Sequence, residues 1–404
     1  MSQTQKKIIN FRTEKSSQDI IDDAIRKRYS KKPLTIERVA SIISGITMAH
    51  EKPNYDEFHV KFFWGERVHD EEIEITMHAK AEESIGGKRI PIEVFREAIS
   101  YLAYQRKRDR LKEYLLKCKE KWEKDRINRL EHFFADVFGV PRDKYSMTVA
   151  KNFFLSAVAR ALNPGCFQKY VLVIQGPQNW SKSRVIATLG GEFYRELNVS
   201  VTTEKDFYMA IQGVWIIEIP ENDAFRKAHN SRTKAVISST TDRFRPPYSR
   251  VVRDFPRRCI FVISTNEETV YEDPSGGSRF WPVKICHPGN VEYVQNTRDL
   301  LWGEATYRYL QGESYWEMPE QVEKEQERVR RHDEWESIIS DYIALNNIHE
   351  ITITKIAKLA LGIEAKDLHR HQQDRISNCL SVLGFEKRVV WRDNKTKKIW
   401  IKKS

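Results

Sequence analysis

Residues 170–189 read YVLVIQGPQNWSKSRVIATL, and the order of residue types in this stretch decides the fold of the chain's centre. Tyr170 to Ile174 is a short apolar run rich in β-branched residues, which predicts a buried strand. From Arg184 to Leu189 the pattern predicts the start of a helix. Between them stands Gly176-Pro177-Gln178-Asn179-Trp180-Ser181-Lys182-Ser183. A strand, a tight turn with free N–H groups, a lysine and a hydroxyl at a helix N-terminus are what a phosphate loop requires. Gly176 is expected to supply the turn's backbone freedom, Lys182 to meet the β- and γ-phosphates, and Ser183 to face a magnesium ion. One position departs from the pattern, because Ser181 stands where a glycine ordinarily precedes the lysine. A Cβ at that point implies backbone strain.

Downstream, two more apolar runs end in polar groups. Gly213-Val-Trp-Ile-Ile-Glu218-Ile-Pro-Glu221 closes on acids, and Cys259-Ile-Phe-Val-Ile-Ser-Thr-Asn266 closes on an amide. A nucleotide motor needs an acid to order Mg²⁺ or polarise water, and a neutral polar group to sense the γ-phosphate. Three strands deliver these groups in that order. Residues 133–310 as a whole alternate strand-like and helix-like segments, which predicts an α/β domain.

Around this centre the pattern changes. Residues 1–30 are polar and without apolar period, and are expected to form a mobile arm. From Leu34 to Ile92, runs such as FHVKFFW (58–64) and EIEITMH (72–78) suggest strands, and from Ile92 to Leu130 a three- and four-residue apolar period predicts helix. The expected divisions are an α+β and helical region over 31–132, a P-loop domain over 133–317, a charged helical linker over 318–334 and a basic domain over 335–404. That last unit shows three helical patterns and then EKRVVWRDNKTKKIWIKK (386–403), two strands turning at Asp393-Asn394. Three helices and a hairpin are the winged-helix order. From Gly384 to Ser404 there are eight Lys or Arg against two acids, so Lys397 and Lys398 are expected to meet a duplex backbone.

Composition narrows the partners. The net charge is +11 over 404 residues, which favours a polyanion because each neutralised phosphate releases a counterion. No run approaches the ~18 apolar residues of a membrane span. Five cysteines, Cys118, Cys166, Cys259, Cys286 and Cys379, lack C-x-x-C spacing. That argues against zinc and disulfides and for a reducing cytosol.

The strings FFADVFGVPRDKY (133–145), AVARALNPG (157–165), VWIIEIPE (214–221), DRFRPPYSR (242–250), RRCIFVISTN (257–266) and GSRFWPV (277–283) resemble the virulence-associated protein E family of phages and mobile islands. The resemblance implies an AAA+ or superfamily 3 helicase-like ATPase that uses ATP and Mg²⁺, assembles as a hexameric ring and acts in DNA replication. It implies that residues Gly176 to Arg184 bind nucleotide. It further implies that Glu218 and Glu221 divide metal and water duties, Ser183 and Glu218 being the metal candidates, and that Asn266 senses the γ-phosphate. Arg279 would be the residue that reaches the neighbouring subunit. Residues 243–258 hold six arginines against Asp254 alone, with Phe244, Tyr248 and Phe255 interleaved. Arginines track phosphates and aromatic faces stack on bases, so Arg243, Arg245, Tyr248 and Arg250 are expected to touch single-stranded DNA in the pore. A ring that binds nucleotide and DNA with little hydrolysis is the alternative, and Ser181 is the feature that separates the two.

Overall fold

The computed structural model describes residues 33–197, 204–221, 230–245, 251–268, 279–320, 322–328, 333–392 and 395–402. The arm expected over residues 1–30 lies outside them. The chain divides into two compact units, Met1–Arg110 and Leu111–Ser404.

In the first unit, β1 (Pro53–Asp56), β2 (Lys61–Trp64), β3 (Arg67–Val68) and β4 (Lys107–Arg108) form a sheet of order β3-β2-β1-β4. Helices Ile36–Ile46, Glu71–Ser84 and Ile92–Tyr104 share a core of Val39, Ile43, Ile73, Phe95 and Ile99. The string FHVKFFW contributes β2, but EIEITMH is helical, not a strand. The Asp70 side chain caps that helix by accepting from the Ile73 amide, and Glu71, Glu72 and Glu74 occupy the first turn, where carboxylates complement the helix dipole. Its alternating Ile73, Ile75 and Met77 mimic a strand. The alternation has no buried face, however, since Ile73 is buried and Ile75 is 63% exposed.

The second unit is built on a parallel sheet: β5 (Val171–Gln175), β6 (Tyr194–Glu196), β7 (Ile216–Pro220), β10 (Ile260–Thr265) and β11 (Phe280–Lys284), in the order β11-β5-β10-β7-β6. Every residue of β5 and β10 is buried, which explains their unbroken apolar runs, because a parallel sheet is covered on both faces. Val173, Phe207, Ile217, Ile219, Ile237 and Phe261 belong to one core cluster. The helix Lys144–Leu162 is tied in by the Trp215 indole, which donates to the Ala157 carbonyl at 2.8 Å. The Trp302 indole of helix Val291–Leu310 donates to Leu189 at 2.9 Å. Gly303 admits the helix Arg110–Asp125, because a Cβ there would meet the Cys118 carbonyl at 2.2 Å. The small strands β8 (Thr241–Phe244) and β9 (Arg253–Pro256) pair antiparallel beside this core.

Beyond the short helix Val322–Arg328 come helices Glu334–Leu345, Ile353–Leu359 and Arg370–Val382, with β12 (Glu350–Ile351), β13 (Phe385–Arg392) and β14 (Lys395–Lys402) in the order β12-β14-β13. Ile339, Ile356, Ile376, Leu380, Phe385 and Trp400 form their core. The expected helix, helix, helix, hairpin order is present, and its turn at Asp393-Asn394 lies outside the described residues. No helix among the described residues is long and apolar enough to cross a membrane.

Candidate active site

The chain crosses from β5 to the far edge of the sheet at β6, works back through β7 and β10, and then passes to the other side of β5 to form β11. The carboxyl end of β5 is thus a point where the winding reverses, the place where open α/β sheets form a crevice. Gly176 to Ser181 leave the sheet there and enter the helix Lys182–Gly190.

Gly176 is required by crowding and not by a left-handed angle, as a Cβ would fall 2.4 Å from Ile285 Cγ1. The left-handed angles belong instead to Asn179, at φ 64°, and Ser181, at φ 57°. The loop is held from outside as well, since the Trp180 carbonyl accepts from Gly289 N at 2.9 Å. Pro177, Gln178 and Asn179 are exposed, as is Arg184 in the first turn of the helix. Lys182 is 8% exposed, and its Nζ donates to the carbonyls of Gly176 at 2.7 Å and Pro177 at 2.8 Å. Burial pulls this ammonium below the usual lysine range, against the opposing pull of Glu221 and Glu218.

Glu218, on β7, is fully buried and accepts from three hydroxyls. Ser183 Oγ donates to Oε1 at 2.6 Å, Ser264 Oγ donates to the same oxygen, and Tyr194 OH donates to Oε2 at 2.6 Å. Burial, reinforced by that carboxylate, pushes the Tyr194 hydroxyl far above the usual tyrosine range, so it stays a donor. Glu221 stands just past the end of β7 at φ 47°. Its Oε2 accepts from Thr265 Oγ1 at 2.9 Å and from the Asn266 amide at 3.3 Å, while Asn266 itself is exposed at the end of β10. Gly176, Lys182, Ser183, Glu218, Glu221 and Asn266 therefore gather at one end of the sheet. Tyr194 and Ser264 join them, though the sequence reading singles out neither. Tyr194 lies in no motif and Ser264 is an unremarked position of the string 257–266; the pairing of β6 and β10 with β7 brings them to Glu218.

Arg279 lies elsewhere. It precedes β11, whose Phe280 pairs with Val171 at the start of β5, so it sits at the opposite end of the strands from the loop. Six strand steps at ~3.3 Å, from the level of Tyr170 to Gly176, put it roughly 20 Å away along the strands. Its Nε donates to Ser238 Oγ at 3.2 Å.

The arginine-rich segment divides into two kinds. Arg257 is 2% exposed, with Nε donating to both Asp242 oxygens at 3.1 and 3.2 Å, and Arg258 donates to the Ala161 carbonyl at 2.6 Å. Arg257 is an interior group and Arg258 is half-buried. Phe244 belongs to the core and packs on Phe255 at 4.8 Å between ring centres and on Tyr208 at 6.1 Å, so its ring offers no free face for a base. Arg243 and Arg245 are exposed, Arg243 lying 3.6 Å from Asp254. Tyr248 and Arg250 lie outside the described residues. Lys397 and Lys398 are exposed on β14. Among the described residues no group of three or more His, Cys, Asp or Glu gathers as a metal site.

The virulence-associated protein E-like domain matches residues 115–334, which takes in the sheet, the loop and the acids. No match appears among the curated proteins. Two A-form apo structures of the NrS-1 C-terminal region are similar at 15% and 14% identity, each match covering 68% of this chain and 74% of that one with a TM-score of 0.37. The domain match spans more than half of the 404 residues, and the chain belongs to the virulence-associated protein E-like family.

Proposed function

We propose that this chain is a P-loop ATPase that drives a DNA helicase or replication initiator of a phage or mobile element. The observation that carries the reading is the meeting of Lys182, Ser183 and Glu218 at the carboxyl end of β5, with Ser183 Oγ 2.6 Å from Glu218 Oε1. A buried ammonium, the N-terminal amides of a nine-residue helix, and a hydroxyl beside a carboxylate suit a magnesium nucleotide. Magnesium favours one or two oxygen ligands from protein, with phosphates and water completing the shell.

In this reading residues 133–317 are the ATPase domain, with a small α+β region before it, a charged linker over 318–334 and a winged-helix domain over 335–404. Lys182 exchanges its carbonyl partners for the β- and γ-phosphates, and the helix amides hold the α- and β-phosphates. Ser183 and Glu218 would hold the metal, which when bound would offset the charge of the phosphates. Tyr194 and Ser264 fix Glu218 in one orientation. Glu221, tied to Thr265 and to the Asn266 amide, orients the attacking water, and the exposed Asn266 side chain senses the γ-phosphate. The placement of Arg279 away from its own loop favours a role on a neighbouring subunit's nucleotide, hence a ring, of six subunits in our reading. Arg243 and Arg245, with Tyr248 and Arg250, would face single-stranded DNA in the pore, and Lys397 and Lys398 the duplex.

The rival is a ring that binds nucleotide and DNA with little hydrolysis, and the left-handed Ser181 is the observation that favours it. Phosphate release by the purified chain, with and without single-stranded DNA, separates the two. Turnover stimulated by DNA is expected. Tight nucleotide binding with no turnover under either condition would support the rival.

A further inference from the structure

The β13–β14 hairpin carries two kinds of surface on one face. Residues directly opposite on an antiparallel pair share a face, as do alternate residues along each strand. The register Phe385↔Lys402, Lys387↔Trp400, Val389↔Lys398 and Trp391↔Thr396 therefore puts these eight residues together. At the base, Phe385 and Trp400 are buried at 3% and 5% in the core of the C-terminal unit. Toward the tip the same face continues as Val389 and Trp391, which are 62% and 71% exposed. Lys387 and Lys398 stand on this face and are exposed too. An apolar stripe that outruns the core it belongs to, ending in a tryptophan and flanked by ammonium groups, is not explained by folding. An indole face offers stacking area, and the lysines repel other cations while attracting an anionic chain.

We propose that Trp391 is a stacking site for unpaired bases beside a DNA duplex, with Val389 extending the apolar platform and Lys387 and Lys398 meeting the phosphates on either side. This rests on the proposed DNA-binding role of the C-terminal unit and deepens it. That role needs only charge on the hairpin, whereas the stacking site gives its aromatic face a function of its own. The charge of the hairpin favours nucleic acid over a protein partner, since residues 384–404 hold eight Lys or Arg against two acids.

The test compares forked DNA whose single-stranded arms carry normal bases with the same fork carrying abasic arms, so that the phosphates are unchanged and only stacking is removed. Binding of the full chain is followed by fluorescence anisotropy at fixed salt. The wild-type protein should prefer the normal fork about tenfold, in keeping with the strength of a base–aromatic stack. Trp391→Phe should keep most of that preference. Trp391→Ala should lose it while binding the abasic fork as the wild type does. With 5-iodouracil in the arms, cross-linking and mass spectrometry should place the adduct in the peptide containing Trp391. A preference that survives in Trp391→Ala, equal weakening on both forks, no wild-type preference, or adducts only elsewhere in the chain would each overturn the stacking site. Wild-type protein that binds neither fork would overturn the DNA-binding role beneath it.

Discussion

Ser181 is the position where the physics of the loop can be tested with one atom group. Its backbone stands at φ 57° and ψ 21°, and its side chain makes no capping bond to the helix it precedes. A left-handed conformation costs an L-residue about 1–2 kcal/mol, through the clash of Cβ with the following carbonyl oxygen. Ser181→Gly removes that clash. The added freedom of glycine returns about 0.5–1 kcal/mol to the unfolded or open loop, so the net gain is about 1 kcal/mol. At ~1.4 kcal/mol per decade, nucleotide affinity should rise roughly fivefold in Ser181→Gly, read by titration with a fluorescent ATP analogue. Ser181→Ala keeps the Cβ and removes only the hydroxyl, and should bind as the wild type does. Were both variants to bind more weakly, the hydroxyl would be a phosphate ligand and the strain account would be refuted.

Three further outcomes follow from the geometry. Tyr194→Phe leaves a buried Glu218 oxygen without its donor at 2.6 Å, which should lower stability by about 1–3 kcal/mol; an unchanged urea midpoint would mean that this bond contributes nothing. Mixed rings of Arg279→Ala and Glu218→Gln subunits should regain part of the ATPase activity that each variant lacks alone, and mixed rings without rescue would count against action between subunits. Lys397→Ala with Lys398→Ala should flatten the salt dependence of duplex binding, by about 0.9 in the log–log slope for each phosphate that the protein no longer neutralises, and an unaltered slope would place the duplex elsewhere.

The parallel sheet is legible in the sequence because its strands are buried on both faces and write continuous apolar runs, and the loop because its residue types are few and consecutive. The C-terminal helices and hairpin are legible from local periodicity. The region before residue 110 is less so. In EIEITMH an alternating pattern coincides with an acidic first turn, and the cap at Asp70 decides for helix. Site geometry is legible only where it is local. The contacts of Tyr194 and Ser264 with Glu218 arise from strand order, and the burial of Arg257 against Asp242 leaves no mark in a string where six arginines look alike. Gly176 is a necessary glycine, as its motif implies, but for a different reason. The close approach of Ile285 that demands it comes from a distant part of the chain.

Whether Lys182 and its neighbours hold and hydrolyse ATP is decided by phosphate release from Lys182→Ala beside the wild type. Magnesium-dependent release by the wild type and its loss in the variant are expected, with circular dichroism unchanged because Lys182 Nζ hydrogen-bonds two loop carbonyls. Equal phosphate release by the two proteins would contradict that role.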